Sequence, residues 1–260
     1  MIKSMKKLFV IFIVFAILAL GISLSPVFAK NDKNGDIPEQ DGIYNVLGHP
    51  ELKVRVFVHK AKPGPGPSPA EVCGLPDPGS DAIVGLAGWH LPANWTYNLN
   101  PSSAPSSIGS ANFATIANNA FAAWTSVLGG KVNIVPGPTT TINRKGLDGK
   151  NIVTWGTASG SALGVTYIWY NPTTGAVTEL DTILNTKFSW MWSNGISTCA
   201  WTNVYDAQDI LTHEIGHWFG LDDEYTSDYT NNTMYGYGSK GDAKADTLTN
   251  GDVMGVQANY

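Results

Sequence analysis

The sequence predicts an α+β protein in which one sheet packs against a few helices. Three observations carry this prediction: a long amphipathic stretch over residues 107–128, short strand-like runs on both sides of it, and helical stretches near the end of the chain. Strand, helix, several strands and then helices is the order expected of such a layered arrangement.

Hydrophobic periodicity gives the individual elements. Residues 52–59 alternate charged and apolar side chains, which indicates a strand, and residues 95–100 form another. In the 107–128 helix apolar residues recur three and four apart, and Gly129-Gly130 ends it. The other predicted strands are 131–135, 151–155, 163–170 and 176–184, with a hairpin between the last two. The other predicted helices are 206–220 and 250–260.

The first 29 residues predict export. They contain Lys3, Lys6 and Lys7, an unbroken apolar run over 8–20 and the small-x-small ending Val27-Phe28-Ala29. This is the pattern of a secretory signal peptide. A retained membrane anchor is the alternative, although the apolar run is short for a membrane span. We therefore expect a secreted, extracellular protein with no stable membrane association after signal cleavage.

The remaining chain predicts one sizeable domain. Cleavage removes three lysines and no acids, so the net charge falls from −5 to −8. The sequence contains no cluster of lysine and arginine residues, so nucleic acid is not expected as a partner. Residues 30–72 are predicted as an N-terminal extension or short propeptide with a Pro/Gly-rich linker at 62–69, and residues 73–260 as the main domain, expected to be a monomer. Cys73 and Cys199, an even pair in an exported chain, suggest a disulfide.

Residues 213–223 read His-Glu-Ile-Gly-His-Trp-Phe-Gly-Leu-Asp-Asp and contain the pattern HExxH. On a helix, His213 and His217 are four residues apart and project from the same face. Two neutral imidazoles on one face suit zinc, which accepts nitrogen and oxygen ligands. Glu214 would take the proton of a zinc-activated water as that water attacks a carbonyl. The motif therefore predicts peptide hydrolysis.

The residues after this motif predict a third metal ligand. Gly220 follows His217 by three residues and Asp223 follows it by six. Glycine tolerates the left-handed conformation that ends a helix and turns the chain, which would return Asp223 to the metal. Asp222 and Glu224 compete for this role, and the spacing favours Asp223. Three protein ligands leave one position for water, as a catalytic zinc site requires.

These residues resemble those of the matrixins, a metzincin family of zinc endopeptidases that includes the matrix metalloproteinases. The pattern His213-Glu214-x-x-His217-x-x-Gly220-x-x-Asp223 is similar to theirs, with aspartate in place of the usual third histidine, as in the bacterial snapalysins. Thr233-Met234-Tyr235 resembles the methionine turn beneath the zinc, and residues 248–260 resemble the closing helix. Over residues 73–260 the resemblance implies a twisted, mostly parallel sheet with an antiparallel edge strand, packed on a long helix, an active-site helix and a C-terminal helix.

Some positions depart from the family pattern. Gly236 stands where the family has proline after Met-Tyr, and it also occupies the place of the astacin-like tyrosine ligand. Cys73-Gly-Leu-Pro-Asp77 resembles the family's cysteine switch, in which a propeptide thiolate binds the zinc and blocks the water. Glu71-Val72 replace the Pro-Arg that usually precedes this cysteine. A Cys73–Cys199 disulfide and a Cys73 switch therefore remain alternatives.

Motif and resemblance together predict a zinc endopeptidase that acts on polypeptides, with the substrate paired along an exposed edge strand at 163–170. One alternative is a secreted binding or surface protein with a structural metal, which would not need the base Glu214. Another is a zinc hydrolase of a non-peptide substrate, against which the metzincin-like C-terminal part argues. Acids such as Asp181 are candidates for structural calcium, although no EF-hand-like loop is present.

Overall fold

The computed structural model describes residues 37–64, 77–193 and 203–260. The signal peptide predicted at 1–29, Cys73 and Cys199 lie outside these ranges, so export and the disulfide stay predictions. Across the described ranges, every helix is too short or too polar to cross a bilayer.

The elements follow the predicted order, with bounds that differ by a few residues. The strands are β1 (Gly42–Val46), β2 (His49–Ala61), β3 (Asn94–Leu99), β4 (Asn133–Pro136), β5 (Ile152–Gly156), β6 (Ala162–Tyr170), β7 (Val177–Asn185), β8 (Trp190–Met191), β9 (Tyr205–Asp206) and β10 (Tyr237–Gly238). The α-helices are α1 (Ser110–Ser126), α2 (Ala207–Trp218) and α3 (Asn250–Asn259). Strands β1, β8, β9 and β10, which are all short, are not among the predicted elements.

The main sheet has the strand order β1-β2-β6-β7-β5-β3-β4, and β10 pairs with the end of β2. Strands β4, β3, β5 and β7 are parallel, whereas β6, β2 and β1 are joined by antiparallel pairings. The predicted α+β class, with a mostly parallel sheet and an antiparallel edge strand, is confirmed.

Each face of the sheet has its own core. The larger core joins sheet residues to the buried faces of α1 and α2, and the aromatic stripe of α1, including Phe113, Phe121 and Trp124, lies within it as predicted. The smaller core on the opposite face contains Val54, Val56 and Val58 of β2 together with residues of β6. Alternate residues of β2 therefore point to opposite faces of the sheet.

The expectation that residues 163–170 form an exposed edge strand is wrong. Strand β6 pairs with β7 on one side and with β2 on the other, and all nine of its residues are buried. The hairpin of β1 and β2 covers this edge of the sheet. Strand β2 forms the hydrogen bonds that β6 would leave open if it were an edge strand. The sheet thus extends into the segment that precedes the Pro/Gly-rich linker.

Candidate metal centre

Helix α2 and the turn after it position the predicted metal ligands. The Asp206 side chain caps the start of α2 by accepting the N–H groups of Gln208 and Asp209. Past its end, Gly220 has a φ of 86°, and a Cβ atom there would overlap the Trp89 carbonyl oxygen. Glycine is therefore needed at this turn on both conformational and steric grounds.

The turn brings Asp223 back to the two histidines of α2. Asp223 Oδ1 lies 3.1 Å from His213 Nε2 and 3.5 Å from His217 Nε2. In a tetrahedral zinc site with bonds of about 2.1 Å, neighbouring ligand atoms lie roughly 3.4 Å apart. Both distances are close to the spacing that a shared zinc ion requires, and the three ligand atoms all lie within 4.8 Å of one another.

Hydrogen bonds fix which imidazole nitrogen faces this centre. His213 Nδ1 lies 2.8 Å from the Thr233 carbonyl oxygen, and His217 Nδ1 lies 2.9 Å from that of Leu221. A carbonyl oxygen only accepts, so each neutral imidazole donates from Nδ1 and presents an unprotonated Nε2 to the centre.

The atoms that face one another at the centre are all acceptors. Both Nε2 atoms and Asp223 Oδ1 are buried and have no hydrogen-bond partner. Burying unpartnered acceptors at these distances is unfavourable unless a cation lies between them. The set of two nitrogens and one carboxylate oxygen suits zinc.

The competing acids have other partners. Asp222 Oδ1 lies 3.5 Å from Arg55 Nη2, and Glu224 Oε1 accepts the Gly85 N–H at 2.9 Å. Asp181, the residue considered for calcium, accepts the N–H groups of Gly146 and Ile152 through its two oxygens. It belongs to neither candidate metal group found in the described residues.

Glu214 is buried beside this centre and is held through one oxygen. Its Oε2 accepts the Thr166 hydroxyl, whereas Oε1 has no hydrogen-bond partner and lies 3.9 Å from His59 Nδ1. A Cβ atom at Gly164 would overlap Oε1, so β6 makes room for this carboxyl group by having a glycine there. Burial raises the pKa of Glu214, and the neighbouring His213 and His217 oppose this shift. The carboxyl group is thus oriented, with one oxygen available for proton transfer.

Met234 lies beneath α2, where the resemblance places it. It is buried, and a Cβ atom at Gly216 would overlap its sulfur, so α2 and the turn pack closely at this point. The Asp252 side chain accepts the N–H of Thr233 at 2.9 Å and of Met234 at 3.3 Å. Asp252 therefore holds the turn whose Thr233 carbonyl orients His213.

The glycine that replaces the family's proline also has a structural reason. A Cβ atom at Gly236 would overlap the Tyr225 ring. The Tyr225 hydroxyl lies 3.0 Å from Asp223 Oδ2, the oxygen that does not face the histidines. Gly236 thus provides room for a tyrosine that orients Asp223.

Several of these supporting residues are not among the site residues predicted from the sequence. Asp252 had a local signal, because Thr249 and Asp252 form the capping box that begins α3. Gly164 and Thr166 had none, because their contacts to Glu214 join distant segments. Tyr225 had none, because its contact to Asp223, two residues away, depends on the conformation of an irregular loop.

We expect substitutions of Met234 to separate a packing role from a surface role. Met234→Leu nearly conserves volume and should cost under about 1.5 kcal/mol, with activity largely kept. Met234→Asp should disrupt folding or zinc retention, because it buries an unpaired charge. Thermal unfolding and zinc analysis test both variants. A Met234→Asp protein as stable and zinc-loaded as the wild type would show that this residue is not the floor of the site.

Comparison with known proteins identifies the family of this chain. The sequence model of the matrixin family matches residues 88–260, which is more than half of the chain and includes α2, the Met234 turn and α3. No curated protein matches the sequence. The chain belongs to the matrixin family, whose members are zinc-dependent endopeptidases.

Proposed function

We propose that this protein is a secreted zinc endopeptidase in which His213, His217 and Asp223 hold the metal and Glu214 is the general base. The observation that carries the proposal is the set of three buried, unpartnered acceptor atoms facing one another beside a buried carboxyl group. When bound, zinc polarises the scissile carbonyl and lowers the pKa of a coordinated water to roughly 7. Export is proposed from the signal-like residues 1–29.

The chain's own residues supply the proton transfers. Glu214 Oε1, which has no hydrogen-bond partner, takes a proton from the attacking water and returns it to the leaving amine. Thr166 fixes the orientation of the carboxyl group by donating to Oε2. Asp223 contributes a negative charge that partly offsets the charge of the metal, while the two histidines bind as neutral imidazoles.

The rival function is a binding or surface protein with a purely structural metal. Such a site needs no base, and four protein ligands usually fill it. The glycine at 164 and the hydroxyl of Thr166 are instead arranged around Glu214, which supports catalysis.

Casein digestion tests the proposal. We expect casein hydrolysis by the purified protein to stop when a zinc chelator is added and to return when zinc is restored. The assay is run on the intact chain and on chain cut in the 62–69 linker, because β2 covers β6 in the intact fold. Hydrolysis that is indifferent to the chelator, or absent from both forms with zinc bound, would reject the proposed activity.

A further inference from the structure

A series of hydrogen bonds leads from the end of helix α2 through the sheet to the carboxyl group of Glu214. The indole N–H of Trp218 donates to Thr182 Oγ1 at 2.9 Å, and the hydroxyl oxygens of Thr182 and Thr166 lie 2.8 Å apart. Thr166 donates in turn to Glu214 Oε2. We name Trp218, Thr182 and Thr166 the donor relay.

The secondary structure fixes the position of each member of the donor relay. Thr166 of β6 and Thr182 of β7 are directly opposed in the antiparallel ladder, so their side chains point to the same face of the sheet, here toward α2. Trp218 follows Glu214 by four residues, which places both on one face of the helix. The donor relay therefore starts on α2, passes through two neighbouring strands and returns to α2 at Glu214.

The donor inventory allows one direction for these hydrogen bonds. An indole N–H only donates, so Thr182 Oγ1 accepts from Trp218. Across the described residues Thr182 Oγ1 has no partners other than Trp218 and Thr166, so its own hydrogen is donated to Thr166. The Thr166 hydrogen is then left for Glu214 Oε2. Every hydrogen of the donor relay thus points toward the carboxyl group.

Burial makes this direction consequential. Glu214 and all three members of the donor relay are fully buried, where hydrogen bonds are electrostatically stronger and neighbouring bonds polarise one another. A proton on Glu214 Oε2 would reverse the bond to Thr166 and leave the hydrogen of Thr182 without an acceptor, which costs free energy. Glu214 Oε1 has no hydrogen-bond partner, so a proton placed there disturbs none of these bonds.

We propose that the donor relay holds Glu214 Oε2 as an acceptor, so that Oε1 is the oxygen that takes the proton of the attacking water. The inference rests on the proposed function of Glu214 as the general base. Thr166, Thr182 and Trp218 are positioning residues, because they act through the carboxyl group of Glu214. Without them the carboxyl group loses its fixed orientation, and the two oxygens become equivalent sites for the proton.

Kinetics of threonine variants test the effect on the reaction. Valine keeps nearly the shape of threonine but has no hydroxyl. We expect Thr166→Val to lower kcat at least about tenfold, because a hydrogen bond to a charged group is lost, and Thr182→Val at least about twofold. KM and zinc content should stay at the wild-type level, because the bonds orient the base and do not bind substrate. Thr166→Ser and Thr182→Ser restore the hydroxyl and should recover most of the rate. The rate is measured with a model peptide on chain cut in the 62–69 linker.

Two variants outside the donor relay control for lost packing and lost buried hydrogen bonds. Thr154 is fully buried on β5, and its hydroxyl contacts Ser103 Oγ. Trp124 is fully buried, and its indole N–H donates to the Thr212 carbonyl of α2. We expect Thr154→Val and Trp124→Phe to lower the unfolding temperature but to leave kcat at the wild-type level. Losses of kcat in these controls that match those of the relay variants would overturn the proposal.

The NMR signal of the Trp218 indole N–H reports on the donor relay independently of activity, and its loss in Trp218→Phe assigns it. Because each hydrogen bond polarises the next, we expect Glu214→Gln, which removes the charge at the end of the donor relay, to shift this signal in the full, zinc-loaded chain. Thr166→Val should abolish the shift. A Trp218 signal that is indifferent to Glu214→Gln, or wild-type kcat in Thr182→Val, would overturn the donor relay.

The two experiments separate this inference from the proposed function. If no form of the protein hydrolyses peptides while the Trp218 signal still responds to Glu214→Gln through Thr166, the proposed peptidase fails and the donor relay stands. If Glu214→Gln abolishes hydrolysis while Thr182→Val keeps the wild-type kcat, the donor relay fails and the peptidase stands.

Discussion

Glu214→Gln is expected to lower the rate of peptide hydrolysis at least about a hundredfold while zinc remains bound at the wild-type level. Glutamine keeps the shape of the side chain and still accepts the Thr166 hydroxyl, but it cannot take a proton from water. Burial raises the pKa of Glu214, which means that the fold disfavours its charged form. The neutral amide of glutamine avoids this cost, so the metal-free variant should unfold at a temperature no lower than the wild type.

The rate is measured with a model peptide on chain cut in the 62–69 linker, together with the zinc content of the same sample. Glu224→Gln is the matched control, because Glu224 lies on the same loop as Asp223 but binds the Gly85 N–H instead. A Glu214→Gln protein that cleaves at a rate near that of the wild type would show that the base lies elsewhere.

The second large effect concerns the metal ligands. We expect His217→Ala to lose stoichiometric zinc and with it all hydrolysis, because the remaining Nε2 of His213 and Oδ1 of Asp223 no longer form a three-ligand site. Asp223→Asn should also lose zinc, because it removes the negative charge that faces both imidazoles.

Asp222→Asn is the control for Asp223→Asn, since the two acids are neighbours and Asp222 turns toward Arg55. Metal analysis of the purified proteins after dialysis checks all three. Stoichiometric zinc in His217→Ala, or zinc loss in Asp222→Asn that matches the loss in Asp223→Asn, would contradict the ligand assignment.

Local patterns made most of the fold predictable. The three- and four-residue spacing in residues 107–128 is a property of one segment, and so is the HExxH spacing that places His213 and His217 on one face of α2. The alternation in residues 52–59 indicated a strand for the same reason. Alternation does not specify the partner of a strand. The pairing of β2 with β6 depends on non-local contacts, and this pairing is the reason that 163–170 is not the predicted exposed edge.

The candidate site likewise contains residues that are predictable from one segment and residues that are not. The return of Asp223 was predictable because it depends on one glycine and one turn, and Gly220 has the expected positive φ. The contacts of Thr166 with Glu214 and of Tyr225 with Asp223 join segments that are distant in sequence or lie on an irregular turn. His59 ends a predicted strand, and nothing in its own segment indicates that its ring packs against His213 of α2.

A crystal structure of the intact, zinc-loaded protein, with anomalous data collected on both sides of the zinc absorption edge, tests the metal centre most directly. We predict one anomalous peak within bonding distance of His213 Nε2, His217 Nε2 and Asp223 Oδ1, with Glu214 beside it. A zinc ion bound instead through Asp222 or Glu224, or no peak at α2 in protein that contains stoichiometric zinc, would contradict it.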